Sequence, residues 1–291
     1  MVSVSVLVPS FNEESSISQT VSDLEAGMNA AAVDDYEIIV IDDGSTDDTK
    51  TIAGESGAKV VAHVHNLGYG SAIKSGLRAA GGDTIVIIDA DGTYPAKSIG
   101  DLLEKFREGY DMVVGARRGI HYRGSHLKWP LRIALRWLVE WVTGREIPDI
   151  NSGFRVFARE NALNIQNQLS EGFSFTTTIT LIYMMTGKFV GYLPIDYDQR
   201  IGQSKVVLWR DSIKTFSYIL MTILYYAPMK IFTVMSGLCV AIAGVSLAIG
   251  IVFELTTGFL MAVGSLIASL IVFALGLLAE LLRQVILNLK E

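Results

Sequence analysis

Ile85, Val86, Ile87 and Ile88 run directly into Asp89-Ala90-Asp91-Gly92-Thr93-Tyr94-Pro95. The β-branched residues read as a buried strand. The two carboxylates that follow, one residue apart, pose an electrostatic problem. Like charges that close repel and lose hydration unless a cation sits between them. Asp89 and Asp91 are therefore the candidate metal ligands, with Ala90 on the turn between them. What the cation would hold depends on what else reaches the same place.

Two more polar loops end predicted strands. Val4–Val8 leads into Pro9-Ser10-Phe11-Asn12-Glu13-Glu14, and Tyr36–Asp42 leads into Asp43-Gly44-Ser45-Thr46-Asp47-Asp48-Thr49. Read alone, Asp-Gly-Ser is ordinary turn chemistry and Asn-Glu-Glu an ordinary helix start. At successive strand ends they gain another meaning, because open α/β sheets bind ligands beyond the carboxyl ends of their strands. The alternation supports such a sheet. Ile17, Val21, Leu24 and Met28 share one helical face, Lys59–His63 and Thr84–Asp89 read as strands, Gly68–Gly82 as a helix with glycine ends, and Asp111–Arg117 as a fifth strand. The pattern predicts a mostly parallel α/β sheet.

These segments resemble the family 2 glycosyltransferases of the GT-A fold, whose Rossmann-like sheet carries the same loops in the same order. Closer likeness is to the polyprenyl-phosphate sugar transferases, the group of dolichol-phosphate mannose synthase. It rests on Gly115–Arg117, on Pro148–Arg159 (PDINSGFRVFAR) and on Pro194–Lys205 (PIDYDQRIGQSK), and spans about residues 4–205. The resemblance implies transfer of one sugar, with inversion, from a UDP- or GDP-sugar to a dolichyl or undecaprenyl phosphate. It implies Mg²⁺ or Mn²⁺ on Asp89 and Asp91, bridging the donor phosphates. It places Pro9, Asn12, Glu13, Asp42 and Asp43 around the nucleoside, with Asp43 near the base. Gly70 and Lys74 form the adjacent wall, and Ser204 joins this donor-binding set. Arg117, Arg200 and Lys205 are the expected contacts to the lipid phosphate, since guanidinium geometry suits phosphate. Asp149 takes the place of a base or orienter, although a phosphate acceptor is already ionised near neutral pH.

The sequence departs from the mannose synthases at Gly92-Thr93-Tyr94, where many read Leu-Gln-His. It departs again at Thr176 and Thr177, where a glutamate often stands. The donor sugar is therefore left open. His63, His65, His121 and His126 lack the spacing of a metal set and read as structural or surface residues.

The chain of 291 residues is half hydrophobic, with a net charge of -6 and a single cysteine, Cys239. The acidity argues against a nucleic-acid partner, and one cysteine excludes an internal disulfide framework. The N-terminus has no basic start and too short an apolar run for a signal peptide. Arg117, Arg123, Lys128, Arg132 and Arg136 are interleaved with Trp129, Trp137 and Trp141, which suits an interfacial helix over about 123–143. Residues 206–229 form a second amphipathic segment. Residues 231–253 and 258–282 are each long and apolar enough to cross a bilayer of about 30 Å.

The expected organisation is a catalytic domain over 1–205, the interfacial helix, and a transmembrane hairpin over 230–291. Arg210, Lys214, Lys230, Arg283 and Lys290 flank the hairpin, while its loop Glu254–Gly258 has no Lys or Arg. The positive-inside rule then predicts a cell-membrane protein with a cytoplasmic catalytic domain. Glu280 reads as an interfacial charge one turn from Arg283. Gly237, Gly244, Gly250, Gly264 and Gly276 permit close helix approach, within the hairpin or in a homo-oligomer.

Two other function classes fit part of the sequence. A polysaccharide synthase shares the fold, but Leu135-Arg136-Trp137 lacks the glutamine of its Gln-x-x-Arg-Trp segment. A membrane-tethered nucleotide-binding scaffold, or flippase partner, would have no need of the Asp89/Asp91 pair. Removal of residues 231–291 is expected to release a domain that still binds nucleotide sugar but uses long-chain lipid poorly. Calorimetry on the donor, beside assays with short and long polyprenyl phosphates, measures the two properties separately.

Overall fold

The computed structural model describes residues 3–118, 129–198 and 208–288. The chain divides into two compact units, Met1–Ile219 and Leu220–Glu291.

In the first unit, seven strands form one sheet: β1 (Val4–Ser10), β2 (Tyr36–Asp42), β3 (Lys59–Ala62), β4 (Thr84–Ile87), β5 (Met112–Arg118), β6 (Arg155–Ala158) and β7 (Val190–Asp196). Their order across the sheet is β3-β2-β1-β4-β6-β5-β7. β1 pairs in parallel with β2 and β4, β2 with β3, and β5 with β7. β1 and β4 are buried along their whole length, as expected of central strands with both faces covered. The helices are α1 (Ile17–Ala30), α2 (Thr49–Glu55), α3 (Tyr69–Ala79), α4 (Ile99–Arg107), α5 (Trp129–Thr143), α6 (Arg159–Ile165) and α7 (Phe175–Met185), while α8 (Leu208–Tyr226) begins in this unit and ends in the second. Ile17, Val21, Leu24 and Met28 of α1 are all buried, as their spacing predicts.

The mostly parallel sheet is as expected, with one reversal that the sequence reading missed. β6 runs antiparallel between β4 and β5, with Arg155 opposite Ile87 and Val114. Because it is reversed, its beginning lies where its neighbours end. The loop 149–154 therefore arrives at the carboxyl edge, beside the turn after β4 and the last residues of β5. Two strands also stop earlier than read: β4 ends at Ile87, before Asp89, and β3 at Ala62.

Arg155 secures this crossing. It is wholly buried, yet its partners are neutral. Nε donates to the Ser152 carbonyl at 2.7 Å, one terminal nitrogen to Thr180 Oγ1 at 2.6 Å, and the other to the Ile150 carbonyl at 2.8 Å. Burial lowers the guanidinium pKa from its ordinary value. The side chain ties the loop before β6 to α7, itself buried from Phe175 to Met184.

The second unit holds α9 (Pro228–Val252) and α10 (Thr256–Asn288). Both are long and apolar enough to cross a membrane. They pack against each other as a hairpin: Ser236 and Ser269 share a hydrogen bond of 2.9 Å, and Gly276 leaves room for Phe232. Their outward surface is apolar, with Val252 and Leu270 each 72% exposed. A Cβ added at Gly237, Gly244 or Gly264 would meet no atom of another element within 4 Å. Glu280 pairs with Arg283 one turn on.

Arg155→Met is expected to cost about 2–4 kcal/mol, since it leaves two carbonyls and a hydroxyl buried without their donor. Denaturant unfolding monitored on the first unit checks this.

Candidate active site

The turn after β4 carries the acidic pair. Gly92 sits at φ +69, a conformation open to glycine, and closes the turn. Asp91 is buried, and its Oδ1 accepts from the Thr93 amide at 3.2 Å and the Thr93 hydroxyl at 2.6 Å. Thr20 of α1 donates to the Ala90 carbonyl at 3.1 Å, pinning the turn from beneath. Asp89 is half-buried, and its Oδ1 accepts from the Tyr69 hydroxyl at 2.9 Å. Gly153 also lies against it, where a Cβ would come within 2.5 Å of both carboxylate oxygens. Tyr94 completes the enclosure. Its hydroxyl accepts from the Gly153 amide at 2.8 Å and its ring meets Phe154 and Tyr197 edge-on. Burial, reinforced by the Asp89 charge, pushes both Tyr69 and Tyr94 above the ordinary phenol range, so both hydroxyls keep their protons.

The loops after β1 and β2 exchange hydrogen bonds. The Asn12 amide donates to Ser45 Oγ at 2.9 Å and Asn12 Oδ1 accepts from the Thr46 amide at 2.8 Å. Asn12 itself adopts φ +51. The Glu13 amide donates to Thr49 Oγ1 at 2.8 Å, and the Asp48 amide to Glu14 Oε2 at 3.2 Å. Burial alone would raise the Asp47 carboxyl, but hydrogen bonds from Thr49 and the Glu14 amide outweigh it and hold the pKa below its usual value. Pro9 lies in β1 opposite Ile41, and Asp42 accepts from the Ser45 amide at 3.3 Å.

Asp43 has a distinct task. Its Oδ1 accepts from the Leu67 amide at 2.9 Å and its Oδ2 from the Gly68 amide at 2.8 Å. His63 Nδ1 also lies 2.7 Å from Oδ1, and His63 Nε2 lies 2.9 Å from Ser75 Oγ. Asp43 thus shapes the loop that leads into α3, and His63 links it to Ser75 of that helix. α3 then lies tightly on residues 170–171: the Ser71 amide donates to the Glu171 carbonyl at 3.0 Å, and a Cβ on Gly70 would overlap the Ser170 carbonyl oxygen. Burial lowers the Lys74 pKa, helped by Arg78 and opposed by Glu171.

Arg117 and Asp149, assigned separate roles from sequence, form one bidentate ion pair. Arg117 Nε donates to Oδ2 at 2.7 Å and its terminal nitrogen to Oδ1 at 2.9 Å. The Arg117 and Asn151 amides add bonds of 3.2 and 3.1 Å. The guanidinium lies over the Tyr197 ring, 5.4 Å from its centroid. Thr177 of α7, at a position where the sequence departs from the mannose synthases, donates to Asn151 Oδ1 at 2.7 Å. The Asp198 amide donates to the Thr93 carbonyl at 3.0 Å, so the chain leaves β7 beside the acidic turn. Arg200, Ser204 and Lys205 follow but lie outside the described residues, as do Arg123, Lys128, His121 and His126.

Among the described residues, no three His, Cys, Asp or Glu side chains form a metal-binding group. Two carboxylates on one turn still fit a divalent cation of the magnesium type. Such ions use one or two protein carboxylates and take their other ligands from phosphate and water. Sequence reasoning missed Tyr69 and Gly153, both against Asp89. Their only signals were the aromatic residue opening α3 and the glycine of Asn-Ser-Gly-Phe.

The family model for Glycosyl transferase family 2 matches residues 5–160. The undecaprenyl-phosphate 4-deoxy-4-formamido-L-arabinose transferase of Proteus mirabilis is 30% identical over 304 residues, covering 97% of this chain and 89% of that protein. Glycosyltransferase AglD of Haloferax volcanii is 32% identical over 235 residues, which is 76% of this chain and only 37% of AglD's own length. Among solved structures, glucosyl-3-phosphoglycerate synthase from Mycobacterium tuberculosis, in complex with Mn²⁺, uridine diphosphate and glucosyl-3-phosphoglycerate, superposes with a TM-score of 0.61. That pair is 25% identical, over 76% of this chain and 80% of the other.

Asp149→Leu is expected to lose up to about 3 kcal/mol, because it strands the Arg117 charge, whereas Arg117→Met/Asp149→Leu recovers only part of it, since the amides of residues 117 and 151 still lack their acceptor. Denaturant midpoints of the singles and the double close the cycle.

Proposed function

The chain belongs to glycosyl transferase family 2, and from that membership we propose that it transfers a single sugar from a UDP- or GDP-sugar to a polyprenyl phosphate at the cytoplasmic face of the cell membrane. The observation that carries the reading is the likeness to the Proteus mirabilis transferase, named for its undecaprenyl-phosphate acceptor, over 97% of this chain. A likeness of that extent includes the two membrane-length helices. Their apolar surface suits a protein whose acceptor resides in a bilayer. The charge asymmetry across the hairpin favours a cytoplasmic catalytic domain.

On this reading the donor lies across the carboxyl edge of β1, β2 and β4. Pro9, Asn12, Glu13, Asp42 and Asp43 form the nucleoside cradle, with Gly70 and Lys74 beside it. Asp43 contributes by holding the Leu67–Gly68 turn. Asp89 and Asp91 would hold Mg²⁺ or Mn²⁺, and the Mn²⁺ complex of the mycobacterial synthase supports a divalent ion. When bound, that ion neutralises the charge that builds on the departing nucleoside diphosphate.

The protein's own groups position the reactants. A phosphate oxygen of the acceptor attacks the anomeric carbon as the bond from that carbon to the β-phosphate oxygen breaks, which inverts the centre. The acceptor oxygen is already anionic, so no side chain must remove a proton. Asp149, held by Arg117 and two amides, acts as an orienter of that arginine rather than as a base. Arg117, fixed over Tyr197, and Arg200 and Lys205, which follow the anchored Asp198, supply positive charge for the acceptor phosphate.

The test is a panel of UDP- and GDP-sugars with Mg²⁺ or Mn²⁺ and a polyprenyl phosphate, scored for lipid-linked product. One donor should give product. No product from any donor, with a folded chain in detergent, overturns the assignment. In the active pair, Asp91→Asn keeps the Thr93 hydrogen bonds but loses the charge. It should cost about 10²-fold or more in rate, the scale for removing a main charge-stabilising group.

A further inference from the structure

Tyr69 stands outside every role given so far. It opens α3, and its hydroxyl reaches Asp89 across twenty residues of sequence. Its ring stacks on Phe173, with centroids 5.9 Å apart and planes 23° from parallel. Phe173 is 46% exposed, so this stack lies at the surface and is not explained by core packing.

The base of the tyrosine is held as firmly as its ring. Gly68 and Gly70 flank it, and neither leaves room for a side chain against residues 170–172. The Ser71 amide bonds the Glu171 carbonyl, so the first turn of α3 and the segment bearing Phe173 form one rigid piece. The hydroxyl therefore projects from a fixed platform. Gly153 also packs close to Asp89, since a Cβ there would come within 2.5 Å of both carboxylate oxygens, and the Gly153 amide is itself held by Tyr94. A carboxylate between a donor and a wall has little freedom to rotate.

We propose that Tyr69 is a positioning residue for the divalent cation: its hydroxyl and the Gly153 backbone clamp the Asp89 carboxylate in the orientation in which it serves the ion and the donor diphosphate. The proposal rests on the reading of Asp89 and Asp91 as the ion's protein ligands. It also assigns a use to the exposed Phe173 ring, which steadies Tyr69 from outside. A partner of this kind acts through the ligand and does not touch the substrate. Losing one typically weakens metal binding by about 10–100-fold.

The experiment titrates Mn²⁺ into the full-length detergent-solubilised protein, with UDP and separately with GDP, reading free Mn²⁺ by electron paramagnetic resonance. Tyr69→Phe keeps the ring and its stack and removes only the donor. The expected result is Mn²⁺ binding about tenfold weaker, with the metal-free thermal midpoint little changed. In turnover, the Mn²⁺ concentration for half-maximal rate should rise more than kcat at saturating Mn²⁺ falls. Phe173→Leu, which loosens the platform without touching Asp89, should shift Mn²⁺ binding in the same direction by less, and serves if Tyr69→Phe fails to fold. Unchanged Mn²⁺ affinity in both variants, even with lowered thermal stability, overturns the proposal and leaves the transferase reading intact. Failure of the unaltered protein to bind Mn²⁺ with either nucleotide overturns the metal reading, and this proposal with it.

Discussion

The reversal of β6 is the constraint on which the site depends. In a purely parallel sheet the segment 149–154 would enter at the amino edge, far from the turn after β4. Running antiparallel between β4 and β5, β6 delivers Gly153 to Asp89 and Asp149 to Arg117. The cost is a sharp entry into a short strand, whose turning carbonyls point inward. Arg155 meets that cost by donating to two of them from the interior. A buried guanidinium is expensive to desolvate, and it is tolerated here because each bonded nitrogen finds an oxygen.

What the sequence revealed and concealed follows the same division. The buried strands β1, β2, β4 and β5, the apolar face of α1 and the presence of two membrane-length helices were legible, because each is written in a local period or run, although α10 continues to Asn288, beyond the expected end at 282. β6 was not. Four residues, Arg-Val-Phe-Ala, carry no period of their own, and only the register with β4 and β5 makes them a strand. The same limit applied to side chains. Arg117 and Asp149 were both singled out, but their pairing was hidden, since thirty-two residues separate them. Tyr69 was overlooked because an aromatic residue at a helix start has no chemical signature until its neighbour is known. Tyr94 was noticed as a departure from a family pattern, and the structure supplies its physical role as a brace between two loops.

The two units obey opposite burial rules. The first hides Val, Ile and Leu within a covered sheet, while the second turns the same residue types outward along α9 and α10. The same residue types thus fill a core in one unit and cover a surface in the other, which is why the overall hydrophobic content alone assigned neither unit. Within the hairpin, the contact uses Ser236 with Ser269 and the small residues Gly250 and Gly276, which let the two helices approach closely.

The reciprocal stitching of the loops after β1 and β2 bears on how this protein can diversify. Asn12, Glu13 and Glu14 supply donors and acceptors to Ser45, Thr46, Asp47, Asp48 and Thr49, which answer in kind. Replacing Asn12, Glu14, Ser45, Asp47 or Thr49, whose side chains accept these bonds, strips a partner from a backbone amide of the opposite loop. The two stretches are therefore energetically coupled, and exchanges at these positions are expected to combine non-additively across the loops.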